Sequence, residues 1–527
     1  MITGKNYIGN QTVAQGKKEY KTFNPQLNFD NPWEFTEATS EEIETAVALA
    51  KTAFESFRSC CGKEKAAFLN AIADEILALG EDVLTVYCAE SGLPKGRAEG
   101  ERGRTIFQLR SFAEMVEEGS WVEASIDLGM PDRLPMPKVD IRKMAIPIGP
   151  IVVFGSSNFP FAYSTAGGDT ASAFAAGCPV IVKSHPMHAG TSEMIASAIT
   201  KAAQKTNMPV GIFANLNSSG IEVGVQLVKH PNVKGVGFTG SIKGGRALFD
   251  IAAQREEPIP VFAEMGSVNP VVILPNALEH KGSFWAKEYA VSITTGTGQF
   301  CTNPGLLLAV KGEPLNEFIS LLASEIEKIA PSCMLHPAIK SNYFNGKKRL
   351  QQQAGVETVV EVIENANPNF ASQTILTVEG NQFLDNPTLH QEVFGPLSIV
   401  VQCQDQTELL AILNNLEGQL SGTIIAEKAE LETHPEIIAA LQNRVGRMVF
   451  NGVPTGVEVC PSVLHGGPYP ASTDSRFTAV GIHAVKRWVR PFSYQNWPNE
   501  LLPKALRNEN PLGILRLVNN KQTNLPI

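Results

Sequence analysis

Hydrophobic residues near the N-terminus recur at spacings of three and four, which is the period of a helix with one buried face. Residues 40–57 show this pattern, and Ser40 stands where an N-cap residue is expected. The ranges 63–79 and 98–118 continue it. The sequence therefore predicts amphipathic helices over these three ranges.

The pattern changes beyond about residue 130. Prolines at 131, 135 and 137 exclude a helix interior, so an extended connector is predicted, followed by a strand over residues 138–146. From there to about residue 450, runs that are apolar throughout, such as IVVF, VIVK and VVIL, alternate with helical stretches. Strands of this kind lie in parallel sheets covered on both faces. The predicted fold class is α/β, with two doubly wound parallel-sheet domains and a small extended excursion.

Length and charge narrow the functional classes. A chain of 527 residues is too long for one ordinary core, so two or three domains are expected. Its net charge of −9 argues against nucleic acid or an anionic membrane as a partner, since both require concentrated Lys and Arg. No apolar run approaches the roughly 20 residues of a membrane span, and the N-terminus lacks the apolar region of a secretory signal.

The cysteines and histidines point to the compartment and to the metal content. The eight cysteines show no pairing pattern, which fits a reducing compartment, so the expected location is the cytoplasm. No HxxxH or CxxC pair occurs in the sequence, and no metal site is predicted.

Cys301 stands in the stretch GTGQFCTNP, between glycines and a proline. Free cysteines commonly pack as small buried apolar side chains, and this is the better interpretation of any cysteine taken alone. A permissive backbone around one sulfur atom also suits a nucleophile. The choice depends on whether the chain supplies partners for a reactive sulfur.

Several other residues could supply them. Glu264, in the apolar run PVFAEMG, is either paired with a cation or adapted by burial to act as a general base. Asn158, in FGSSNFP, is a turn residue or an amide donor to an oxyanion. Lys183 ends the strand VIVK and is either solvated or directed to a nucleotide. The glycines of TGSIKGG, at 239–245, would admit a pyrophosphate at a helix N-terminus, although glycine is also common in plain turns.

These residues occur in the order of the motifs of the aldehyde dehydrogenase superfamily, which the chain resembles over essentially its whole length. The matching segments are SSNFP (156–160), VIVK (180–183), FTGS (238–241), AEMG (263–266), GQFC (298–301) and QEVFGP (391–396). The resemblance implies that Cys301 is the catalytic nucleophile, that Glu264 activates water, and that the Asn158 amide stabilises an oxyanion.

The resemblance also implies a cofactor, NADP or NAD. It places Lys183 at the adenosine ribose and Gly240 and Ser241 near the pyrophosphate. Glu392 is expected to bind the nicotinamide ribose, and Phe394 to pack beside the nicotinamide.

Pro186 bears on the choice between these coenzymes. It stands where many NAD-preferring family members carry a glutamate, whose absence removes a repulsion against the 2′-phosphate of NADP. Residues 215–224, however, contain no basic side chain that could pair with that phosphate. Use of NADP would then depend on Lys183 and His185, and we expect the protein to use both coenzymes.

Two departures from the common family pattern indicate a branch. Ser267 replaces a second glycine, and residues 465–481, HGGPYPASTDSRFTAVG, differ from the common late motif. The combination resembles the branch of 2,5-dioxovalerate (α-ketoglutaric semialdehyde) dehydrogenases and bacterial NADP-preferring fatty-aldehyde dehydrogenases. Oxidation of 2,5-dioxovalerate to 2-oxoglutarate is the favoured activity, and oxidation of a fatty aldehyde is the alternative. A non-catalytic scaffold and an acylating dehydrogenase are disfavoured by the joint presence of Cys301 and Glu264.

The resemblance further implies a division of the chain into domains. Residues 1–130 and 149–266 would form the NAD(P)-binding domain, 267–465 the catalytic domain, and 131–148 with 483–500 a small β oligomerisation arm. Strands in such an arm have exposed edges, which pairing between subunits would cover. We therefore expect a homodimer or homotetramer that acts on a small-molecule aldehyde.

Overall fold

The structure is a computed structural model that describes residues 2–363 and 367–527. Strands build three large sheets, and α-helices pack against two of them. The strands are β1 (Asn6–Ile8), β2 (Gln11–Val13), β3 (Glu19–Asn24), β4 (Phe29–Thr36), β5 (Ser125–Asp127), β6 (Ile141–Pro147), β7 (Ile151–Phe154), β8 (Val180–Lys183), β9 (Phe213–Leu216), β10 (Gly235–Thr239), β11 (Val261–Glu264), β12 (Val271–Ile273), β13 (Leu306–Val310), β14 (Ser332–Cys333), β15 (Glu357–Glu361), β16 (Phe370–Ala371), β17 (Thr374–Glu379), β18 (Leu397–Cys403), β19 (Gln419–Ile425), β20 (Val445–Phe450), β21 (Val489–Gln495), β22 (Arg516–Val518) and β23 (Lys521–Thr523).

The helices connect these strands and cover the two parallel sheets. The α-helices are α1 (Ser40–Phe57), α2 (Gly62–Ala78), α3 (Gly80–Ser91), α4 (Lys95–Glu118), α5 (Gly168–Ala176), α6 (Ala189–Lys205), α7 (Glu222–Lys229), α8 (Ile242–Ala253), α9 (Pro275–Thr294), α10 (Glu313–Glu327), α11 (Pro337–Gln351), α12 (Gly380–Asp385), α13 (Gln406–Asn415), α14 (Lys428–Glu432) and α15 (Pro435–Gln442). Short 3₁₀ helices span Ser120–Val122, Pro186–His188, Thr295–Gly298, Pro387–His390, Ile482–Trp488, Asn499–Leu501 and Lys504–Leu506.

The helix predicted over residues 40–57 is present as α1, but the expected N-cap is wrong. Thr39, one residue earlier, caps the helix because it forms a reciprocal pair with Glu42. The Thr39 hydroxyl accepts a hydrogen bond from the Glu42 backbone N–H at 3.2 Å, and the Glu42 carboxylate accepts one from the Thr39 N–H at 2.8 Å. Such a capping box satisfies two backbone donors, whereas Ser40 could satisfy one.

The first large sheet has the strand order β11-β10-β7-β8-β9-β1-β2. Strands β7 to β11 are parallel, and β1 and β2 add an antiparallel edge. Its parallel strands carry apolar side chains on both faces, so a separate hydrophobic core lies on each side of the sheet. The order reverses at β7, whose neighbours are β8 on one side and β10 on the other. Ligands of open parallel sheets bind beyond the carboxyl ends of the strands at such a switch point.

The second large sheet has the order β15-β17-β18-β13-β12-β19-β20. All its strand pairs are parallel except β15 with β17, and it also has a core on each face. Two parallel sheets enclosed by helices confirm the predicted α/β class. The chain crosses from the first sheet to the second between β11 and β12, that is, through residues 265–270.

The third sheet has the order β21-β6-β5-β22-β23. Strands β6 and β21 lie within the two ranges assigned to the oligomerisation arm, and they pair along their full length. Two details differ from the predicted division. Strand β5, assigned to the NAD(P)-binding domain, pairs with β6, and the C-terminal strands β22 and β23 complete the sheet. The division into domains otherwise remains a prediction.

Residues 465–481 return from the second sheet to the edge of the first. The Met265 N–H donates to the carbonyl of Ala471 at 2.8 Å, and the Thr473 N–H donates to the carbonyl of Ala263 at 3.1 Å. This segment therefore packs against β11 at the point where Glu264 ends the strand.

Candidate active site

A cleft of about 470 Å³ opens beyond the carboxyl ends of β7, β10 and β11, at the switch point of the first sheet. Residues from the second sheet close its other side. Lys183 is not among its lining residues, although it ends β8 beside β7. The other predicted site residues line this one cleft: Asn158, Gly240, Ser241, Glu264, Cys301, Glu392 and Phe394.

The loop that carries Cys301 has an unusual backbone. Gly296, Thr297 and Gly298 have φ values of 57°, 58° and 65°, so three consecutive residues adopt the left-handed conformation. A Cβ atom on Gly298 would lie 2.3 Å from the carbonyl carbon of Gly395, which shows that this loop packs directly on the loop after Glu392. Glycine is therefore required at 298 for two reasons, conformation and close approach. The strain at Thr297 is typical of a site whose geometry is imposed by its surroundings.

Asn269 fixes the other side of the same loop. Its amide nitrogen donates to the carbonyl oxygens of Cys301 and Asn303, both at 2.9 Å. Its amide oxygen accepts from the hydroxyls of Ser267 at 3.0 Å and Ser421 at 2.9 Å. Asn269 is thus a positioning residue that ties the Cys301 loop to β19, and the sequence analysis did not identify it.

His465 is a further residue that the sequence analysis missed. Its Nε2 atom lies 3.5 Å from the Sγ atom of Cys301 and 2.8 Å from Oε1 of Glu264. Its backbone is held by Thr478, whose hydroxyl accepts from the His465 N–H at 2.9 Å. The only sequence signal was indirect, because His465 begins the segment 465–481 that departs from the common family pattern.

Glu264 is buried, with 4% of its surface exposed, and yet has no cation beside it other than His465 among the described residues. The 2.8 Å separation from His465 is within ion-pair range, but neither Glu264 oxygen takes part in a hydrogen bond of acceptable geometry. Without hydrogen-bond alignment, the contact with His465 does little to stabilise the carboxylate. Unsatisfied buried carboxylates are costly, so this one is typical of a reacting group rather than a structural ion pair.

The surroundings of Cys301 oppose its ionisation in the free protein. Burial raises the pKa of the Cys301 thiol well above its usual value, and the neighbouring negative charge of Glu264 raises it further. The positive charge of Arg104 acts in the opposite direction on the same pKa. A base must therefore take the thiol proton before the sulfur can react, and Glu264 and His465 lie next to it.

Asn158 lies beside the loop that carries Cys301. Its Nδ2 atom donates to the carbonyl oxygen of Gln299 at 3.1 Å, two residues before Cys301. An amide nitrogen carries two hydrogens, so this contact orients the side chain and leaves a second donor.

The opposite end of the cleft has the features of a nucleotide site. Ser241 is the N-cap of α8, and its hydroxyl accepts a hydrogen bond from the Gly244 N–H at 3.2 Å. A Cβ atom on Gly266 would lie 2.4 Å from Oε2 of Glu392, so the missing side chain lets the carboxyl group enter the cleft. Glu392 faces the cleft but lies below the protein surface, and this burial raises the pKa of its carboxyl group to about 7. A helix N-terminus, small residues and a carboxyl acceptor fit a dinucleotide.

Lys183 ends β8 and donates from Nζ to the carbonyl oxygen of Ser218 at 2.8 Å. Burial lowers its pKa to about 8, while the nearby carboxylate of Glu37 opposes this shift. A positive charge on His185 is unfavourable in the free protein. Burial, together with the adjacent His188 and Lys183, lowers the pKa of His185 well below its usual value, and its Nδ1 accepts from the Met187 N–H at 3.2 Å.

One group of side chains at the site presents atoms that metal ions bind. The Sγ of Cys301, a carboxylate oxygen of Glu264 and the Nε2 of His465 lie within 4.8 Å of one another. No metal site was predicted from the sequence, and that prediction is not tested by this grouping.

Across the described residues, none of the helices is both long enough and apolar enough to cross a membrane.

Comparison with known sequences identifies relatives of the whole chain. The sequence profile of the aldehyde dehydrogenase family matches residues 12–477. Alpha-ketoglutaric semialdehyde dehydrogenase 2 of Azospirillum brasilense is 44% identical over 522 residues, which is 99% of each chain. The alpha-ketoglutaric semialdehyde dehydrogenase of Acinetobacter baylyi is 42% identical over 527 residues, again 99% of each chain.

Solved structures show the same fold at lower identity. Betaine aldehyde dehydrogenase of Staphylococcus aureus in complex with NAD+ superimposes with a TM-score of 0.81 and 18% identity, over 94% of this chain and 96% of that one. A variant of Thermus thermophilus 1-pyrroline-5-carboxylate dehydrogenase has a TM-score of 0.79 and 20% identity, over 93% and 92% of the two chains. These two comparisons establish the fold.

The grouping of Cys301, Glu264 and His465 predicts inhibition by zinc. A thiolate, an imidazole and a carboxylate are the ligand types that Zn²⁺ prefers, and their spacing allows all three to bind one ion. We expect added Zn²⁺ to abolish turnover and EDTA to restore it. The matched control is His483→Asn, a surface substitution, which should leave the zinc sensitivity unchanged, whereas His465→Asn should weaken zinc binding about tenfold or more. Equal zinc affinity in the wild type and His465→Asn, measured by competition with a chromophoric chelator, would refute the prediction.

Proposed function

The chain belongs to the aldehyde dehydrogenase family, and on that basis we propose that it oxidises 2,5-dioxovalerate to 2-oxoglutarate with NAD(P)+, through covalent intermediates on Cys301. The relatives at 44% and 42% identity support the choice of substrate. The observation that carries the chemistry is a buried carboxyl group, Glu264, with unsatisfied oxygens beside the partly buried thiol of Cys301.

The first half of the reaction forms a bond between Cys301 and the aldehyde. His465, whose Nε2 lies 3.5 Å from the sulfur, takes the thiol proton, and the thiolate attacks the carbonyl carbon to give a thiohemiacetal anion. The oxyanion accepts hydrogen bonds from the Asn158 amide and the Cys301 backbone N–H. One donor of this kind typically lowers the barrier by about 3–4 kcal/mol.

The second half releases the acid. NAD(P)+ held in the cleft would supply the hydride acceptor, and loss of hydride from the thiohemiacetal carbon would leave a thioester on Cys301. Glu264 then removes a proton from a water molecule as its oxygen attacks the thioester carbonyl. The C–S bond breaks, the carboxylic acid leaves, and the Cys301 sulfur recovers a proton. Because the water-activating carboxyl group is present, hydrolysis is favoured over transfer of the acyl group to coenzyme A.

The residues around the coenzyme are assigned by their place in the cleft. Gly240 and Ser241 at the start of α8 would hold the pyrophosphate, and Glu392 would accept hydrogen bonds from the nicotinamide ribose. Phe394 would pack beside the nicotinamide, and Lys183 would bind the adenosine ribose. Lys183 would also supply positive charge for a 2′-phosphate, and we infer that both NAD and NADP are used.

Exposed strand edges support the proposed assembly of the protein, and free thiols support its proposed location. Strand β20 is the edge of the second sheet and exposes Met448 and Phe450, while β21 is the edge of the third and exposes Phe492. Pairing of such edges between subunits supports a homodimer or homotetramer. The cysteines are all unpaired, which supports a cytoplasmic location.

A comparison of substrates tests the proposed function. We expect kcat/KM for 2,5-dioxovalerate to exceed that for succinate semialdehyde and for medium-chain aldehydes, with either coenzyme and without coenzyme A. Highest efficiency on a medium-chain aldehyde would replace the substrate assignment with the fatty-aldehyde alternative. Turnover that requires coenzyme A would refute the hydrolytic mechanism.

Coenzyme binding is predicted to depend on pH through Glu392. Its carboxyl group has a pKa of about 7 in the free protein and accepts ribose hydrogen bonds best when ionised. Binding should therefore strengthen as pH rises through 7, by about fivefold to tenfold between about pH 6 and pH 7.5. Lys183, with a pKa of about 8, acts in the opposite direction above that range. Glu392→Gln should flatten the profile of Kd against pH; an unchanged slope in this variant would show that another group is responsible.

Pro186 allows the coenzyme assignment to be tested directly. It begins the 3₁₀ helix Pro186–His188, where a glutamate can be accommodated, and the control variant is Pro186→Gln, which has the same size without the charge. A carboxylate about 4 Å from a 2′-phosphate would face a repulsion of roughly 4 kcal/mol per unit charge at an effective dielectric of about 20. After screening, we expect Pro186→Glu to lower kcat/KM for NADP by about tenfold to hundredfold relative to NAD. If the ratio of kcat/KM for NADP to kcat/KM for NAD is the same in Pro186→Glu and Pro186→Gln, position 186 does not lie beside the ribose.

A further inference from the structure

Three arginine side chains lie near Cys301, and none of them lines the coenzyme cleft. Arg97 packs over the ring of Phe300, which precedes Cys301. The positive charge of Arg104 lowers the pKa of the Cys301 thiol, and the charge of Cys301 in turn raises the pKa of Arg447. They could therefore contact the part of a substrate that points away from the coenzyme, provided that their charges and donors are not already used.

Two of the three are already engaged. The guanidinium carbon of Arg97 lies 4.4 Å and 4.6 Å from the ring centroids of Phe159 and Phe300, and its Nε lies 3.5 Å from the carboxylate of Glu101. Arg447 donates from Nη1 and Nη2 to the carbonyl oxygens of Gly456 at 3.1 Å and Pro454 at 2.7 Å. The charge of Arg97 is therefore compensated by Glu101, and its guanidinium group lies beside two aromatic rings. Arg447 uses both of its terminal nitrogens in hydrogen bonds to the backbone.

Arg104 differs from both. Its Nη2 donates to the hydroxyl of Tyr163 at 3.3 Å, and its guanidinium carbon lies 5.7 Å from the centre of the same ring. Its Nε, like that of Arg97, is buried and has no hydrogen-bond partner, but no described carboxylate lies within ion-pair distance of Arg104, whereas Arg97 has Glu101. A buried guanidinium donor without an acceptor is unfavourable unless a ligand supplies that acceptor.

The position of Arg104 follows from its helix. Residues 97, 101 and 104 of α4 are spaced by four and three, so they lie on one face of the helix. Glu101 accepts hydrogen bonds from the backbone N–H groups of Phe161 and Ala162 at 2.8 and 3.0 Å, which fixes this face against the loop after Asn158. Arg104 is thereby held beside Tyr163.

Tyr163 connects Arg104 to the reacting atoms. Its ring centroid lies 6.2 Å from that of His465, and His465 is within 3.5 Å of the Cys301 sulfur. A short aldehyde bound at Cys301 with its tail along Tyr163 would bring a terminal carboxylate to Arg104. A guanidinium group matches a carboxylate with two parallel N–H donors, which a neutral tail cannot use.

We propose that Arg104, together with the hydroxyl of Tyr163, binds the carboxylate at the far end of the substrate and so selects short aldehydes with an anionic tail. This inference rests on the function proposed above, because it supplies the cation that 2,5-dioxovalerate requires. It also assigns different tasks to two arginines of one helix face, since Arg97 shapes the aromatic wall and Arg104 binds the ligand.

The test compares two aldehydes of the same chain length, 2,5-dioxovalerate and pentanal, whose tail is uncharged. The variants are Arg104→Gln, Arg104→Lys and the control Arg110→Gln, which removes a charge from the exposed side of the same helix, where Arg110 pairs with Asp74 at 3.2 Å. Removal of Arg104 also removes a charge that acts on Cys301, so both activities fall. The ratio of the two kcat/KM values cancels that shared effect.

We expect the ratio of 2,5-dioxovalerate to pentanal to fall by about tenfold to hundredfold in Arg104→Gln, mainly through KM, as for the loss of a charge-assisted hydrogen bond. It should fall less in Arg104→Lys, which keeps the charge without the paired donors, and stay constant in Arg110→Gln. If Arg104→Gln does not fold, as judged by coenzyme binding and thermal melting, the Lys variant decides, and an unchanged ratio there refutes the inference.

Two negative outcomes are distinguishable. An unchanged ratio in Arg104→Gln, with a wild-type enzyme that prefers 2,5-dioxovalerate, overturns the anchor and leaves the proposed function intact. A wild-type enzyme that shows no preference for 2,5-dioxovalerate overturns the substrate assignment, and the anchor with it.

Discussion

The burial of Glu264 beside Cys301 is the constraint on which the rest of the site depends. Both groups can carry a negative charge, and their ligand atoms lie within 4.8 Å of each other. Repulsion makes two anions there unfavourable, which is why the Glu264 charge raises the pKa of the thiol. In the proposed mechanism the two groups act in turn: the thiol proton passes to His465 when the sulfur attacks, and Glu264 takes a proton from water when the thioester is hydrolysed.

The two sheets are arranged so that this pair can meet. Glu264 ends β11 of the first sheet, whereas Cys301 precedes β13 of the second. Asn269, in the crossing between the sheets, holds the carbonyl of Cys301, and Gly298 allows the Cys301 loop to lie against the loop of Glu392. The segment that begins at His465 returns across both sheets and packs along β11. Each contact joins parts of the chain that are distant in sequence.

The sequence predicted the parts that are local. Runs such as VIVK are apolar throughout because their strands are buried on both faces, and their alternation with helical stretches predicted the α/β class. The order of Asn158, Glu264 and Cys301 could be read because each stands in a short motif. Asn269 and His465 could not be predicted in this way, because their roles arise from contacts with Cys301. Asn269 is 32 positions from Cys301 in the sequence and His465 is 164 positions from it, and no short motif or hydrophobic period indicates such contacts. The cap at Thr39 was missed because two neighbouring hydroxyl residues compete, and the reciprocal contact with Glu42 decides between them.

The central claim is that substrate carbon becomes bonded to Cys301 and is released by Glu264. Mass spectrometry of Glu264→Gln, mixed with 2,5-dioxovalerate and NAD+ and then denatured in acid, tests it most directly. The account predicts a 2-oxoglutaryl thioester on the peptide that contains Cys301, with one NADH formed for each adduct, and no adduct in the double variant that also carries Cys301→Ala. Absence of the adduct, or an acyl group on another cysteine, would contradict it.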